Sequence, residues 1–314
     1  MSNLGTRVAV AVIGIPLILW LTMTGGFPFF LFVAAISTIG LYEFFRMAGE
    51  RGASPQTGIG ITFGLAVNAT FFHNRLEYLL LESVKGIGIG LPLPTMPQLL
   101  MILFLLFVPL MLLVELFRNR PTPVRNIATT LFGVCYLSIF LGSLIGLREL
   151  FIPADFPVYR HFEVHGLALP PDVIETVYQW GGYTILSLFA ALWSCDSAAY
   201  FVGTRFGRHK LLERVSPNKT WEGAVAGFAA AVIAFVAARA LVLPYISFTT
   251  AVVCGILVGV FGQLGDMVES LIKRDSGVKD SSHLIPGHGG ILDRFDSLIF
   301  VSPLIYFYLD FIVF

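Results

Sequence analysis

Residues 97–117 have the sequence PQLLMILFLLFVPLMLLVELF, in which Glu115 is the single charged residue. About 20 consecutive apolar residues allow an α-helix to cross the hydrocarbon core of a bilayer. The whole 314-residue chain has this character, since 56% of its residues are hydrophobic and 13% are charged. That charged share is about half of what soluble domains carry. The composition therefore predicts an all-α, polytopic integral membrane protein and excludes an ordinary soluble domain.

The charges of the chain balance, with 20 Lys and Arg residues against 20 Asp and Glu residues. A protein that holds DNA or RNA through phosphate contacts usually has a basic surface field. A net charge of zero gives no such field. We therefore expect the lipid bilayer as a partner and no nucleic acid.

Apolar stretches of about 17–25 residues predict about nine transmembrane helices. The predicted spans are 8–24, 27–42, 58–73, 97–117, 127–147, 183–202, 221–242, 249–265 and 297–314. About five helices thus fall in an N-terminal region, 1–180, which includes a loop at 148–182. The remainder, 181–314, contains two polar loops at 203–220 and 266–296, and we predict that it is the catalytic region.

The basic residues divide unevenly between the two sides that nine spans define. The side opposite the N-terminus has only Arg75, Lys85, Arg148, Arg160 and Arg239, and all other Lys and Arg residues lie on the N-terminal side. Cytoplasmic loops carry such an excess of Lys and Arg. We therefore expect the polar loops 203–220 and 266–296 at the cytoplasmic face and the loop 148–182 at the far side.

Acidic residues recur at helical spacing around the second polar loop. Asp266, Ser270 and Lys273 share one helix face if the eighth span continues past its apolar part. Asp293 and Asp296 share a face at the start of the last span. Carboxylates from two helices form the oxygen-rich site that Mg²⁺ prefers. We predict Asp266, Asp293 and Asp296 as metal ligands.

A glycine turn and several cations accompany these acids. His288-Gly289-Gly290 precedes a helix, and free N–H groups at such a turn can hold an anion. Lys273, Arg274 and Arg294 supply the positive charge that phosphate groups need. A merely solvated loop would need Lys and Arg for topology but not this set of aspartates.

Two further features extend the predicted site. Asp196 lies inside the sixth span, where an acid usually faces a partner or a cavity, although a helix-packing hydrogen bond is the alternative. The segment Ser216–Gly223, with the sequence SPNKTWEG, opens the seventh span. Thr220 and Glu222 suit a helix N-cap, and Ser216 and Lys219 suit a phosphate at the helix start. Both interpretations can hold together.

The residues from Ser270 to Asp296 resemble the signature of the phosphatidate cytidylyltransferase family, the CDP-diacylglycerol synthases. The matching positions are Ser270, Ile272-Lys273-Arg274, Lys279-Asp280, Ser282, Ile285-Pro286, His288-Gly289-Gly290-Ile291 and Asp293-Arg294-Phe295-Asp296. The segments around Asp196 and Ser216–Gly223 are similar to further motifs of the family. The resemblance is strong from about residue 183 onward and general over the first 180 residues.

The resemblance implies an inner-membrane enzyme that transfers CMP from CTP to phosphatidic acid, giving CDP-diacylglycerol and pyrophosphate with Mg²⁺. It also implies that acids matching Asp266 and Asp293 form the metal centre and that a monovalent cation such as K⁺ lies nearby. We expect catalytic roles for Asp196, Lys219, Asp266, Lys273, Arg274, Asp293 and Asp296. We expect substrate binding by Ser216, Lys219, Thr220, Glu222, Ser270, Lys279, His288, Gly289, Gly290 and Arg294.

Alternative functions remain open at the level of the sequence. A CTP-dependent lipid kinase would also need a metal ion, CTP and a membrane acceptor, but it would release CDP. A transporter could use Asp196 and its neighbours as an ion path, although transporters place binding groups near the midplane and often in repeats. The sequence leaves the oligomeric state open, a homodimer included.

Overall fold

The computed structural model describes residues 3–83, 94–152, 171–285 and 289–314, and most of these residues are helical. The helices are α1 (Asn3–Thr24), α2 (Gly26–Glu50), α3 (Thr57–Phe71), α4 (His73–Ser83), α5 (Met96–Arg118), α6 (Pro123–Gly133), α7 (Phe140–Arg148), α8 (Pro171–Phe206), α9 (Trp221–Leu241), α10 (Phe248–Leu257), α11 (Gln263–Ser276) and α12 (Leu292–Phe307). The strands β1 (Lys210–Leu212) and β2 (Ser216–Thr220) form an antiparallel hairpin. Short π-helical segments, Val134–Ile139, Val258–Gly262 and Tyr308–Val313, follow α6, α10 and α12.

The described residues contain seven helical stretches that are long and apolar enough to cross a membrane. They are Gly26–Glu50, Met96–Arg118, Pro123–Arg148, Asp172–Phe206, Trp221–Leu241, Phe248–Asp275 and Leu292–Val313. The first predicted span corresponds to a shorter apolar stretch within α1, Val10–Thr24, and the third corresponds to α3, which has 15 residues. The all-α, multi-pass fold is confirmed, whereas the count of nine is not.

The chain forms two compact units. One contains Met1–Leu19 and Tyr183–Val313, and the other contains Trp20–Gly182 and Phe314. The helices α1 and α8 each contribute residues to both units. The functional division that we predict at residue 180 stays a prediction.

The polar loops are shorter than the sequence predicts. Within 266–296, helix α11 continues to Ser276 and ends at Gly277, which has a φ of 75° and donates its N–H to the carbonyl groups of Lys273 and Arg274. Glycine adopts this left-handed conformation without the strain that a side chain causes. The stripe predicted for Asp266, Ser270 and Lys273 therefore exists.

Helical and strand structure also shortens the other two predicted loops. In 203–220 the helix α8 continues to Phe206 and the hairpin follows, and in 148–182 helix α8 already begins at Pro171. These helices extend past their apolar parts because a helix can continue into polar sequence while one of its faces stays packed.

Glycines bring α8, α9 and α10 close together. A Cβ on Gly223 of α9 would lie 2.6 Å from the carbonyl oxygen of Ala199 in α8. A Cβ on Gly255 of α10 would lie 2.5 Å from the Cα of Val232 in α9. Small residues allow such close backbone approach between membrane helices. This packing fixes the end of α8 against the start of α9, where the candidate site lies.

Candidate active site

The hairpin is folded back onto the first turn of α9. Thr220 is the N-cap, and its side chain accepts a hydrogen bond from the Gly223 N–H at 3.3 Å. The Glu222 carboxylate accepts from the backbone N–H groups of Arg208 and His209 at 3.1 and 3.3 Å and contacts His209 Nδ1 at 2.6 Å. The predicted capping role of Thr220 is confirmed. Glu222 fastens the hairpin to the helix.

A cavity of about 540 Å³ lies between this hairpin and the helices α8, α9 and α11. Residues that carry chemistry on its wall include Asp196, Lys219, Thr220, Gln263 and Asp266. The prediction that Asp196 faces a cavity is therefore confirmed. The Gln263 amide donates to the carbonyl oxygens of Gly259 and Ala224 at 2.6 and 3.0 Å, which ties α11 to α9 beside the cavity.

The first group of charges, which we name the Asp266 cluster, consists of Asp196, Lys219, Asp266 and Asp296. Lys219 Nζ lies 2.6 Å from Asp266 Oδ2, and the Ser270 hydroxyl donates to Asp266 Oδ1 over a longer 3.4 Å. The negative charges of Asp196, Asp266 and Asp296 act on one another, and Lys219 is the positive charge that acts on Asp196 and Asp296. Three carboxylates from three helices thus share one ammonium group.

The second group, which we name the Asp293 cluster, consists of Glu269, Lys273, Ser281, Gly290 and Asp293. Lys273 Nζ lies 2.8 Å from Glu269 Oε2 and 2.6 Å from Asp293 Oδ1. Asp293 Oδ2 accepts hydrogen bonds from the Ser281 N–H, the Ser281 hydroxyl and the Gly290 N–H at 2.9, 2.9 and 2.7 Å. Asp293 therefore joins α11 to α12 and organises the loop between them.

The glycine turn is shaped around Asp293. Gly289 has a φ of 83°, and a Cβ at this position would lie 2.6 Å from Asp293 Oδ2, so only glycine fits. The Gly290 N–H, which the sequence predicts as a donor to an anion, donates to Asp293 in the structure. The predicted contact of His288 lies outside the described residues.

The donor chemistry of the two clusters fits a divalent cation. Five carboxylates, from Asp196, Asp266, Glu269, Asp293 and Asp296, face the two ammonium groups of Lys219 and Lys273. Glu269 is 2% exposed, and its Oε1 has no hydrogen-bond partner among the described residues. A buried carboxylate such as Glu269 that shares its one ammonium group with another acid is costly, and a nearby cation would offset that cost.

The structure does not gather these acids into a preformed metal shell. Within the described ranges, no three Asp, Glu, His or Cys side chains lie close enough together to hold a metal ion. Asp266 contacts Lys219 and Ser270, whereas Asp293 contacts Lys273, Ser281 and Gly290. The two predicted ligands are thus each paired with a different lysine.

The remaining predicted residues lie on the same segments of the chain as the clusters. Arg274, Lys279 and Arg294 are exposed and form no ion pair with a described residue, so their charges stay available to phosphate groups. Ser216 is half-buried at the first position of β2.

The structure adds Glu269, Ser281 and Gln263 to the candidate site, and none of these residues was predicted from the sequence. The spacing of Glu269, four residues before Lys273, was the one signal in the sequence for its ion pair.

Comparisons with known proteins identify the family. The model of the Cytidylyltransferase family matches residues 5–312. The chain belongs to this family. A phosphatidate cytidylyltransferase of Synechocystis sp. is 33% identical over 305 residues, which cover 96% of this chain and 95% of that protein.

Two further relatives carry the same name, phosphatidate cytidylyltransferase. The protein of Brucella suis is 33% identical over 309 residues, which cover 98% of this chain and 94% of the relative. The protein of Bacillus subtilis is 30% identical over 312 residues, which cover 98% of both chains. The matches extend through the N-terminal helices, where the sequence alone gives only a general likeness. The resemblance to the family is confirmed.

Proposed function

We propose that this protein transfers CMP from CTP to phosphatidic acid, giving CDP-diacylglycerol and pyrophosphate at the cytoplasmic face of the cell inner membrane. The observation that carries the proposal is the excess of carboxylates over ammonium groups beside a cavity in a multi-pass membrane protein. Membership of the cytidylyltransferase family and the names of the three relatives support the choice of substrates.

The lipid substrate supplies its own nucleophile. A phosphomonoester is largely dianionic near neutral pH, because its second pKa is about 6. An oxygen of this group attacks the α-phosphorus of CTP in line, a new P–O bond forms, and the bond to the bridging oxygen breaks as pyrophosphate leaves. No general base is needed. The residues of the chain therefore act by positioning the two phosphates and by neutralising charge.

The charged residues divide into ligands for a cation and partners for phosphate. Asp266, Asp293 and Asp296 would hold Mg²⁺, with Asp196 beside them. Lys273, which contacts both Glu269 and Asp293, would keep Glu269 as a partner. When bound, Mg²⁺ neutralises negative charge on the triphosphate and polarises its oxygens. The involvement of K⁺ and the homodimer stay predictions.

Basic and polar residues would bind the phosphate groups of CTP and of the lipid. We assign this role to Ser216, Lys219, Thr220, Ser270, Lys273, Arg274, Lys279, His288, Gly289, Gly290 and Arg294. Of the two half-buried lysines, Lys219 lines the cavity and pairs with a single carboxylate, whereas Lys273 lies between two. Lys219 is therefore the cation that we expect to contact CTP most directly, and Glu222 supports it by holding the hairpin.

The cytoplasmic placement rests on the distribution of charge. In the arrangement of nine spans that the sequence predicts, 15 of the 20 Lys and Arg residues fall on the side that contains the loops 203–220 and 266–296. An excess of Lys and Arg is the feature that keeps loops cytoplasmic. CTP is a cytosolic nucleotide, so this placement agrees with the proposed substrate.

The test is a reaction with purified protein, phosphatidic acid and CTP labelled at the α-phosphorus. We expect label in CDP-diacylglycerol and release of pyrophosphate, both dependent on Mg²⁺ and lost when a chelator removes it. Release of labelled CDP together with a newly phosphorylated lipid would indicate a lipid kinase instead. Solute uptake without any nucleotide turnover would favour a transporter. Either result would refute the proposal.

A further inference from the structure

The hairpin that covers the cavity lies at one membrane surface. It connects the end of α8 to the start of α9, and both helices belong to predicted membrane spans. Phe206, the last residue of α8, is 60% exposed, and Trp221, the first residue of α9, is 56% exposed. Aromatic residues are enriched where a membrane protein meets the lipid headgroups. Residues 207–220 therefore lie at headgroup level.

The hairpin has two chemically different sides. Leu211, Asn218, Lys219 and Thr220 line the cavity. On either side of Leu211 in β1, Lys210 and Leu212 are exposed, as expected for alternating residues of a strand. One side of the hairpin thus belongs to the proposed active site, and the other side is free to meet the membrane.

The exposed side carries positive charge that the protein does not neutralise. Arg208 and Arg214 are exposed and form no side-chain ion pair or hydrogen bond with any described residue. Lys210 Nζ donates to the carbonyl oxygen of Pro217 at 2.6 Å, which leaves its charge uncompensated. Of the acids in this part of the chain, Glu222 is engaged with His209, and the exposed Glu213 leaves Arg208, Lys210 and Arg214 in excess. On the cavity side, by contrast, Lys219 is paired with Asp266.

We propose that Arg208 and Arg214 form a docking surface for the anionic headgroups of phospholipids, which delivers phosphatidic acid to the cavity behind the hairpin. The phosphate of the lipid complements the two guanidinium groups, and the exposed Leu212 between them contacts the acyl region. The inference rests on the proposed function, because it names the lipid that this surface serves. Arg208 and Arg214 bind substrate before reaction and are separate from the residues that hold CTP.

The experiment measures turnover in neutral detergent micelles while the mole fraction of phosphatidic acid is varied at saturating CTP. A basic residue near an anionic surface strengthens binding about fivefold. We therefore expect the variant Arg208→Gln/Arg214→Gln to raise the KM for phosphatidic acid at least about tenfold, with kcat and the KM for CTP within about twofold of wild type. Phosphatidylglycerol, an anionic lipid that is not the substrate, should compete with phosphatidic acid in wild type and much less in the variant.

The matched control is Arg51→Gln/Arg120→Gln, which removes two exposed arginines from other loops of the same predicted side. The control should leave the KM for phosphatidic acid unchanged. An unchanged KM in the hairpin variant, an equal increase in the control, or a fall in kcat alone would overturn the proposal. Competition by millimolar inorganic phosphate as strong as that by phosphatidylglycerol would also overturn it, because the surface would then be a general phosphate site.

Binding of a fluorescent phosphatidic acid to the protein in neutral detergent separates this inference from the proposed function. If wild type binds the lipid more tightly than the hairpin variant but makes no CDP-lipid, the docking surface stands and the proposed reaction fails. If wild type makes CDP-lipid and the two proteins bind equally, the reaction stands and the docking surface fails.

Discussion

In the unit Trp20–Gly182 the buried charges Arg148 and Glu115 are surrounded by partners from the chain itself, whereas in the unit that contains Tyr183–Val313 the carboxylates of the Asp266 and Asp293 clusters outnumber the ammonium groups that pair with them. Arg148, which is 0% exposed, donates to the carbonyl oxygens of Thr22, Met23 and Tyr178 at 2.7, 2.9 and 3.1 Å. Its guanidinium also lies 4.2 Å from the centre of the Tyr178 ring. Every nitrogen of this buried cation has an acceptor.

The buried acid Glu115 is equally well satisfied. Its Oε1 accepts from the Asn126 amide at 2.6 Å, and its Oε2 accepts from Gln56 and Arg118 at 2.8 Å each. In the Asp266 and Asp293 clusters, two lysines serve five carboxylates, and Glu269 keeps an oxygen without a described partner. The network around Glu115 therefore holds the fold, whereas the two clusters have negative charge left over for the cation that we propose, since leaving a buried charge unpaired is expensive.

Removing a proposed metal ligand should have the largest effect. Asp266→Asn and Asp293→Asn each take away a negative charge that would hold Mg²⁺, so we expect CTP-dependent formation of CDP-diacylglycerol to fall about a thousandfold. The rate of product formation with purified protein measures this. The midpoint of thermal unfolding in detergent should show that both variants still fold. Near-normal turnover in either variant would remove that residue from the metal site.

Removing the hydrogen bonds of the buried Arg148 should lower the stability of the protein and leave its turnover unchanged. Arg148→Met removes three hydrogen bonds from a charged donor while it keeps an apolar stem of similar length. Hydrogen bonds to charged groups contribute about 1.5–3 kcal/mol each at most, and neighbouring ones overlap, so we expect the free energy of unfolding to fall by about 2–3 kcal/mol. Turnover measured well below the unfolding midpoint should stay within about twofold of wild type.

The outcome for Arg148 decides whether the comparison holds. Unfolding in detergent and CDP-diacylglycerol formation must be measured on the same preparation. A large loss of turnover in Arg148→Met without a loss of stability would show that this buried charge also serves the reaction. The distinction between structural and functional charge would then be wrong for this residue.

The sequence predicts the class of fold and most members of the site, because each depends on local signals. Apolar length identifies the membrane helices, and the spacing of Asp266, Ser270 and Lys273 places them on one helix face, as α11 confirms. The N-cap at Thr220 follows from residue type alone. The count of helices is not confirmed, since Val10–Thr24 and α3 are shorter than a typical span.

The pairing of charges within the site could not be predicted, because it depends on contacts between residues distant in sequence. Nothing in the sequence assigns Lys219 to Asp266 and Lys273 to Asp293, which are 47 and 20 residues apart. The role of Ser281 depends on the folded loop that brings it to Asp293. The sequence pattern identifies the charged residues of the site, and tertiary packing determines which of them form ion pairs.

Glu269→Gln tests the unsatisfied acid, with Glu115→Gln as the matched control. Glu269 contacts Lys273, which contacts the proposed ligand Asp293, and loss of such a supporting group typically weakens metal binding 10- to 100-fold. We expect Glu269→Gln to raise the Mg²⁺ concentration for half-maximal turnover about tenfold. Glu115→Gln makes the same change from carboxylate to amide at a residue whose two oxygens both have hydrogen-bond partners. It should leave this Mg²⁺ concentration unchanged. An equal increase of this Mg²⁺ concentration in the two variants would contradict the distinction between the charges of the two units.

The smallest expected effect concerns helix caps in the unit that contains the site. Thr220 caps α9 and lines the cavity, whereas Ser247 caps α10 and accepts from the Thr250 N–H at 3.0 Å. Loss of either cap should lower the free energy of unfolding by about 1 kcal/mol, so Thr220→Ala and Ser247→Ala should lower the unfolding midpoint to similar extents. Only Thr220→Ala should also raise the KM for CTP, by a few fold, because it alone loses a hydroxyl group at the cavity. If both variants raise the KM for CTP equally, the effect comes from stability, and Thr220 has no separate part in binding the nucleotide.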